Sequence, residues 1–222
     1  MDLLQTAEAI DGYRKSCSQD TINQLARANH SYTPQSQEVK NGPYGSKIVT
    51  MFPNADAGLP HTRPPNIICV PSYFPMTNET MQHELLHLHQ RQHPAEWESK
   101  FSQQGWGPVA ENHIPDRWLR RCRLNPDTLG TRFYSWQNQW VPLPLFERED
   151  KPDLRQCVVR WWNQKSGSLT TEPPDSFVSA FGKNHPQAEH PREVNAVVLA
   201  RQFRESSWDD LEEYLPSFLS SR

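Results

Sequence analysis

The residues from Asn78 to Gln92 constrain this chain more than any other stretch. They contain neither glycine nor proline, and Pro75 and Pro94 bracket them. Thr77 or Asn78 can cap a helix N-terminus, and Pro94 disfavours helical geometry at His93, so the spacing predicts a helix over about 78–92. Inside it stands His83-Glu84-Leu85-Leu86-His87. At about 100° per residue the two histidines fall about 40° apart on one face. Met81, Leu85 and Leu88 gather on the opposite side, where they can bury against a core. The helix is therefore expected to be anchored by its apolar face and to carry the histidine pair outward. Two imidazoles so placed can share one zinc ion. Glu84, about 100° around from His83, lies beside that position rather than on it, which suits a general base acting on a polarised water. A surface helix with two solvated histidines would show the same five residues. His89, about 200° around from His87, makes a poor co-ligand and reads as a surface or supporting residue.

The remaining elements are short. Residues 1–30 carry apolar side chains at helical spacing: Leu3, Leu4, Ala7 and Ile10, then Ile22, Leu25 and Ala26. Residues 31–65 read as loop-rich, with a strand over about 47–52. Residues 66–70, a continuous apolar run closed by Pro71, read as a buried strand. Another strand is expected over about 156–162, after an extended stretch at 141–146. Residues 166–176 look like a surface loop. Pro191 is a favoured first residue for a helix over about 191–203, and an acidic amphipathic segment follows. The 20 prolines imply many irregular connections, while 8 Trp, 9 Phe and 6 Tyr argue for a packed core rather than disorder. The expected fold class is α+β: a small sheet, the helix at 78–92, and a mostly helical and irregular second half. One domain over 1–222 is expected, with room for two lobes, about 1–93 and 94–222, around a cleft.

A net charge of -3 with no basic patch argues against nucleic acid as a partner. No stretch approaches the roughly 20 apolar residues of a membrane span, and no signal peptide is recognised at the start, so an intracellular protein is expected.

The His83-Glu84-Leu85-Leu86-His87 segment resembles the H-E-x-x-H signature of the zinc peptidases called zincins. The resemblance implies a zincin-like fold, one catalytic Zn2+, His83 and His87 as metal ligands, Glu84 as general base, and hydrolysis of a peptide or protein chain. It also implies an edge strand before the helix along which substrate lies, and residues 66–70 are placed in the chain to be that strand. Two sources of a third ligand are open. Metzincins place a histidine where His93 stands, but their pattern has a glycine at the position of Gln90 and a methionine downstream of the motif. This chain's methionines are Met1, Met51, Met76 and Met81, and none follows it. Gluzincins take a glutamate from a later helix, and Glu193 fits: it would lie in the first turn after Pro191, where the helix dipole favours a carboxylate, with Val197 and Ala200 continuing its face. Glu193 is the expected ligand and His93 the alternative, with Glu189 a further acid nearby. Members of the family also carry a Tyr, His or Arg that steadies the developing oxyanion, and Tyr134, His190 and His113 qualify by type. The rival from another class is a non-catalytic interaction module that keeps the zincin shape.

Cys17, Cys69, Cys122 and Cys157 show no paired spacing and read as reduced thiols. All four are expected to titrate with a thiol reagent in the unfolded, unreduced protein. A count of two or zero would point instead to an oxidising compartment.

Overall fold

The computed structural model describes residues 34–53, 58–123, 125–128, 130–150 and 153–221. The helical spacing noted at 1–30, and Cys17 with it, lies outside the described residues.

The first sheet contains β1 (Pro34–Asn41), β2 (Lys47–Met51), β3 (His61–Arg63) and β4 (Ile67–Pro71), in the order β1-β2-β4-β3. β2 and β4 run parallel and the other pairs antiparallel. β4 therefore has a strand on each side. Its unbroken apolar run is that of an interior strand buried on both faces: Ile67 and Cys69 pack with Val49 and Met51, while Ile68 joins the main core. This corrects the expectation that residues 66–70 form the edge, which belongs to β3 instead.

Helix α1 (Asn78–Gln92) follows, capped by Thr77, whose hydroxyl accepts from the Thr80 N–H at 3.1 Å. Gln82 and every residue from Glu84 to Gln90 are buried. The histidine face is thus not turned outward; it is covered by a second helix. His93 closes α1 and opens α2 (Pro94–Gln104), which buries Trp97 and Phe101 and ends at Gly105. Gly105 has φ 100°, a left-handed cap that glycine adopts without a Cβ penalty.

The second half differs from expectation. It carries an antiparallel five-stranded sheet, β5 (Trp106–Val109), β6 (Phe133–Trp136), β7 (Trp140–Phe146), β8 (Cys157–Asn163) and β9 (Leu169–Thr170), hydrogen-bonded in chain order. β9 lies inside the stretch read as a surface loop. Pro142 and Pro144 obscured β7, because proline cannot donate to a ladder. Both put their nitrogen on the side of the strand away from β8. On that side the Pro144 carbonyl accepts from Arg123 N–H at 2.7 Å, and Phe146 N–H reaches the Arg121 carbonyl at 2.9 Å. The pairing of β7 with β8 therefore runs through all seven residues.

The remaining helices are α3 (Asp116–Leu119), α4 (Asp175–Phe181), α5 (Pro191–Gln202) and α6 (Trp208–Ser220). α6 is the expected amphipathic segment. It starts with a capping box between Ser207 and Asp210 and buries Trp208, Leu211, Leu215 and Leu219. Among the described residues the fold is α+β, with two small sheets and six α-helices. None of the described helices is long and apolar enough to cross a membrane.

The largest apolar cluster joins Ile68 and Leu85 to Trp97, Trp161, Phe177 and Leu199. It draws on both halves of the chain, so position 93 does not divide the core. Cys69, Cys122 and Cys157 are free thiols. Burial pushes Cys122 and Cys157 up to about 12, which keeps them protonated and inert.

Candidate metal centre

α1 and α5 pack directly against one another, and this contact assembles the site. His83 and His87, one turn apart on α1, place their Nε2 atoms 3.0 Å from each other. Glu193, in the first turn of α5, brings Oε2 to 3.3 Å from each of them. Among the described residues these three form the one group of His, Cys, Asp or Glu side chains whose ligand atoms converge. A tetrahedral zinc with ligand bonds of about 2.0–2.1 Å has neighbouring ligand atoms about 3.3 Å apart. The observed triangle matches that spacing, and two imidazoles with one carboxylate are a donor set zinc takes in catalytic sites, leaving a fourth position open.

Two of the three side chains are held by residues outside the group. His87 Nδ1 lies 2.9 Å from Gln90 Oε1, and Gln90 Nε2 donates to the Arg192 carbonyl at 3.0 Å. That second bond fixes which end of the amide is oxygen. The oxygen can only accept, so His87 carries its proton on Nδ1 and presents the Nε2 lone pair to the centre. Gln90 is fully buried and links the two helices. Glu193 Oε1 accepts from Asn125 Nδ2 at 2.5 Å, while Oε2 is buried and takes no hydrogen bond of good geometry. A buried carboxylate oxygen facing only two imidazole nitrogens is what a cation site requires.

The charges agree. Burial works against ionisation of Glu193, but His87 and His83 outweigh it and hold the carboxyl well below the usual range. Burial likewise opposes a charge on His87, yet Glu193 first, and Asp127 and Glu84 further off, raise its pKa to about 9. In the protein without metal a proton on His87 balances the carboxylate, and a metal ion would take that proton's place.

Asn125 immediately precedes a 3-10 turn, Pro126–Thr128, that carries Asp127. Asp127 Oδ1 accepts from both the N–H and the hydroxyl of Thr62 at 2.6 Å, and Arg91 donates to that hydroxyl at 2.9 Å. The turn thus ties the third ligand to edge strand β3. Glu84 is 3 % exposed and lines a cleft of about 330 Å³ together with His83, Asn125, Glu193 and Arg123.

The other residues picked out by sequence lie elsewhere. α1 runs unbroken past Gln90, so His93 points away: its ring stacks on His89 at 4.2 Å and Nδ1 lies 3.5 Å from Glu96. His89 accepts from Trp97 Nε1 at 3.0 Å, and burial, with His93 nearby, lowers its pKa to about 4. It is a neutral packing histidine. Glu189 is buried 3.8 Å from Arg123; burial and the charge of Glu193 raise it to about 7. Tyr134 does not line the cleft, because its hydroxyl donates to Glu98. His190 is consumed by capping α5, with Nδ1 accepting from Arg192 N–H at 3.1 Å and Nε2 donating to the Thr131 carbonyl at 2.9 Å. Burial and the Arg192 charge press its pKa down to about 3. His113 is exposed in a 3-10 turn outside the cleft wall. Arg123 and Arg201, both in that wall, were not singled out by sequence, since nothing near them in the chain marks the cleft.

Compared with models of protein families, with curated proteins and with solved structures, the chain matches none. The assignment of the centre therefore rests on its own geometry, which yields two expectations. Zinc affinity, measured by chelator competition, should fall by orders of magnitude in Glu193→Ala and change little in His93→Ala; the reverse pattern would make His93 the third ligand. The second concerns pH. The folded pKa of His87, about 9, lies above its ordinary 6.5, so its contribution to the stability of the metal-stripped protein is full below 6.5 and is lost as pH rises through 9. Glu193 is shifted the other way, so its contribution is present above 4.5 and is lost as pH falls through its depressed value. Because the lowered values of His89 and His190 cost stability as pH falls below 6.5, the urea midpoint of the stripped protein should peak near 6.5 and decline toward pH 9. A midpoint unchanged from pH 6.5 to 9 would contradict this pairing.

Proposed function

We propose that the chain is a zinc peptidase of the zincin type with a gluzincin-like ligand set, His83, His87 and Glu193. The observation that carries this reading is the convergence of those three side chains beside Glu84 in an open cleft. The order of parts supports it as well: a small sheet, a buried helix bearing the motif, and a later helix supplying the carboxylate. When bound, zinc would supply Lewis-acid polarisation of a peptide carbonyl and lower the pKa of a water.

The chain's own residues do the rest. Glu84 takes a proton from the attacking water and passes it to the leaving amine, as a general base that becomes a general acid. Gln90 keeps His87 in the tautomer that offers Nε2 to the metal. Asn125 turns the Glu193 carboxylate so that Oε2 faces the histidines. Arg123, in the cleft wall beside Glu189, is assigned to meet negative charge developing on the scissile carbonyl oxygen, a role for which Tyr134 and His190, outside the cleft, are not available. The expected partner is a peptide or protein chain.

Glu84→Gln tests the mechanism. It should keep about one zinc per chain and lose about 10²–10⁴-fold in turnover of a peptide the wild type cleaves. Unchanged turnover would remove Glu84 as the base, and loss of zinc would make it a ligand. A non-catalytic module would bind zinc and cleave nothing with or without Glu84.

A further inference from the structure

β3 is the outer strand of the first sheet on the side of the cleft, whose wall includes Leu59, Pro60 and Asp127. Among the described residues no strand covers its outer side. A peptide laid along such an edge needs main-chain donors as well as acceptors. The donors of this segment are all accounted for. Pro60, Pro64 and Pro65 have no N–H. The Thr62 N–H is taken by Asp127, so the pair Thr62–Ile68 is one that exchanges no hydrogen bonds. By the alternation of an antiparallel ladder, the pairs His61–Cys69 and Arg63–Ile67 are then the bonded ones, and their N–H groups point to β4. From residue 60 to residue 65 the outer side has no free N–H, and His61, Thr62 and Arg63 are themselves buried, with the turn at Pro126–Thr128 packed against the strand.

The cleft offers a different surface on α5. Val197 and Ala200 stand four and seven residues after Glu193, on the same face of the helix, and both line the cleft. Pro186 also lines the cleft and adds to this apolar patch beside Glu193, which Gln187 and Arg201 border in the chain.

We propose that a substrate chain in this cleft is held through its side chains, on the wall formed by Val197, Ala200 and Pro186, and is not added as a strand to the edge of the first sheet. The proposal rests on the zinc-peptidase reading and deepens it. The substrates it implies are selected by an apolar side chain next to the metal, not by extended main chain of any sequence. A protease with a donor-bearing edge can grip many unstructured chains; this one cannot.

The test uses the zinc-loaded protein and three hydroxamates, which bind a metal with an open position, read by calorimetry. Acetohydroxamate reports the metal alone, triglycine hydroxamate adds main chain without side chains, and leucine hydroxamate adds one apolar side chain. Triglycine hydroxamate should bind within about threefold of acetohydroxamate, because the edge has no free N–H and its strand is buried, so no ladder with the peptide forms. Leucine hydroxamate should bind about 10- to 100-fold tighter, the gain from burying one such side chain. Val197→Thr, which exchanges one methyl for a hydroxyl at nearly the same size, should lose several-fold of that gain while keeping its zinc and its acetohydroxamate affinity, which also shows that the variant is folded. Triglycine hydroxamate binding about tenfold or more tightly than acetohydroxamate would overturn the proposal. A leucine gain untouched in Val197→Thr would do the same. Failure of acetohydroxamate itself to bind would instead overturn the zinc-peptidase reading, and the subsite proposal with it.

Discussion

The packing of α1 on α5 is the contact on which the rest depends. It buries a carboxylate and two imidazoles at one point: Glu193 and His87 are each 1 % exposed. Removing such charges from water costs several kcal/mol per ion unless each meets an opposite charge and hydrogen bonds. The interface meets that demand with bonds that cross it. Gln90 reaches from α1 to the first turn of α5, and Gln104 at the end of α2 exchanges amide hydrogen bonds with Asn195 at 2.8 and 2.9 Å. Small side chains, Ala196 and Ala200, add little bulk to α5. A cation at the convergence point would complete the balance of charge.

The second sheet supplies the platform on which α5 is aimed. His190, the cap of α5, is bonded to the Thr131 carbonyl just before β6, and the Tyr134 ring of β6 stands edge-on to it at 4.8 Å. Three residues after that cap comes Glu193. Tyr134 and His190 thus act on the centre through position: they set where the first turn of α5 begins, and so where its carboxylate falls. The same sheet carries Trp106, Trp136 and Trp161, which pack around Phe177 of α4 with centroid separations of 4.7–6.0 Å.

Several parts of this arrangement were legible in the sequence because they are local. The span of α1, the Thr77 cap and the start of α5 at Pro191 follow from capping chemistry and proline placement. The convergence of His83 with His87 follows from the helical period, and Glu193 was reachable because a carboxylate in the first turn after Pro191 is a recognisable pattern. What was not legible depended on contacts remote in sequence. Gln90 lacked the glycine of one known arrangement, and only its bond to Arg192, 102 residues away, reveals its role. Asn125 stood in an evident turn, but its partner is 68 residues further on. The outward face expected for the histidines failed because amphipathicity locates the most apolar side of a helix without saying whether another element covers the polar one. Of the second sheet, the strand expected at 156–162 is β8, and 141–146 was read as extended; its membership of a sheet was missed because β7 alternates proline with apolar residues, and only the pairing geometry shows that the missing N–H groups fall on the harmless side.

The turn at residues 125–128 joins the two consequences that matter for chemistry. Asn125 holds the Glu193 carboxylate from one end, and Asp127, two residues later, holds Thr62 of β3 from the other. Asn125 Oδ1 also accepts from the Asp127 N–H at 3.0 Å, so the two grips share one rigid frame. The bond that fixes the edge strand relative to the metal centre is therefore the bond that removes the only outward N–H of that strand. A more open edge would require releasing Asp127, and with it the frame that orients the Glu193 carboxylate. In this fold, precision at the centre and main-chain pairing at the edge draw on the same turn, and the turn is committed to the centre.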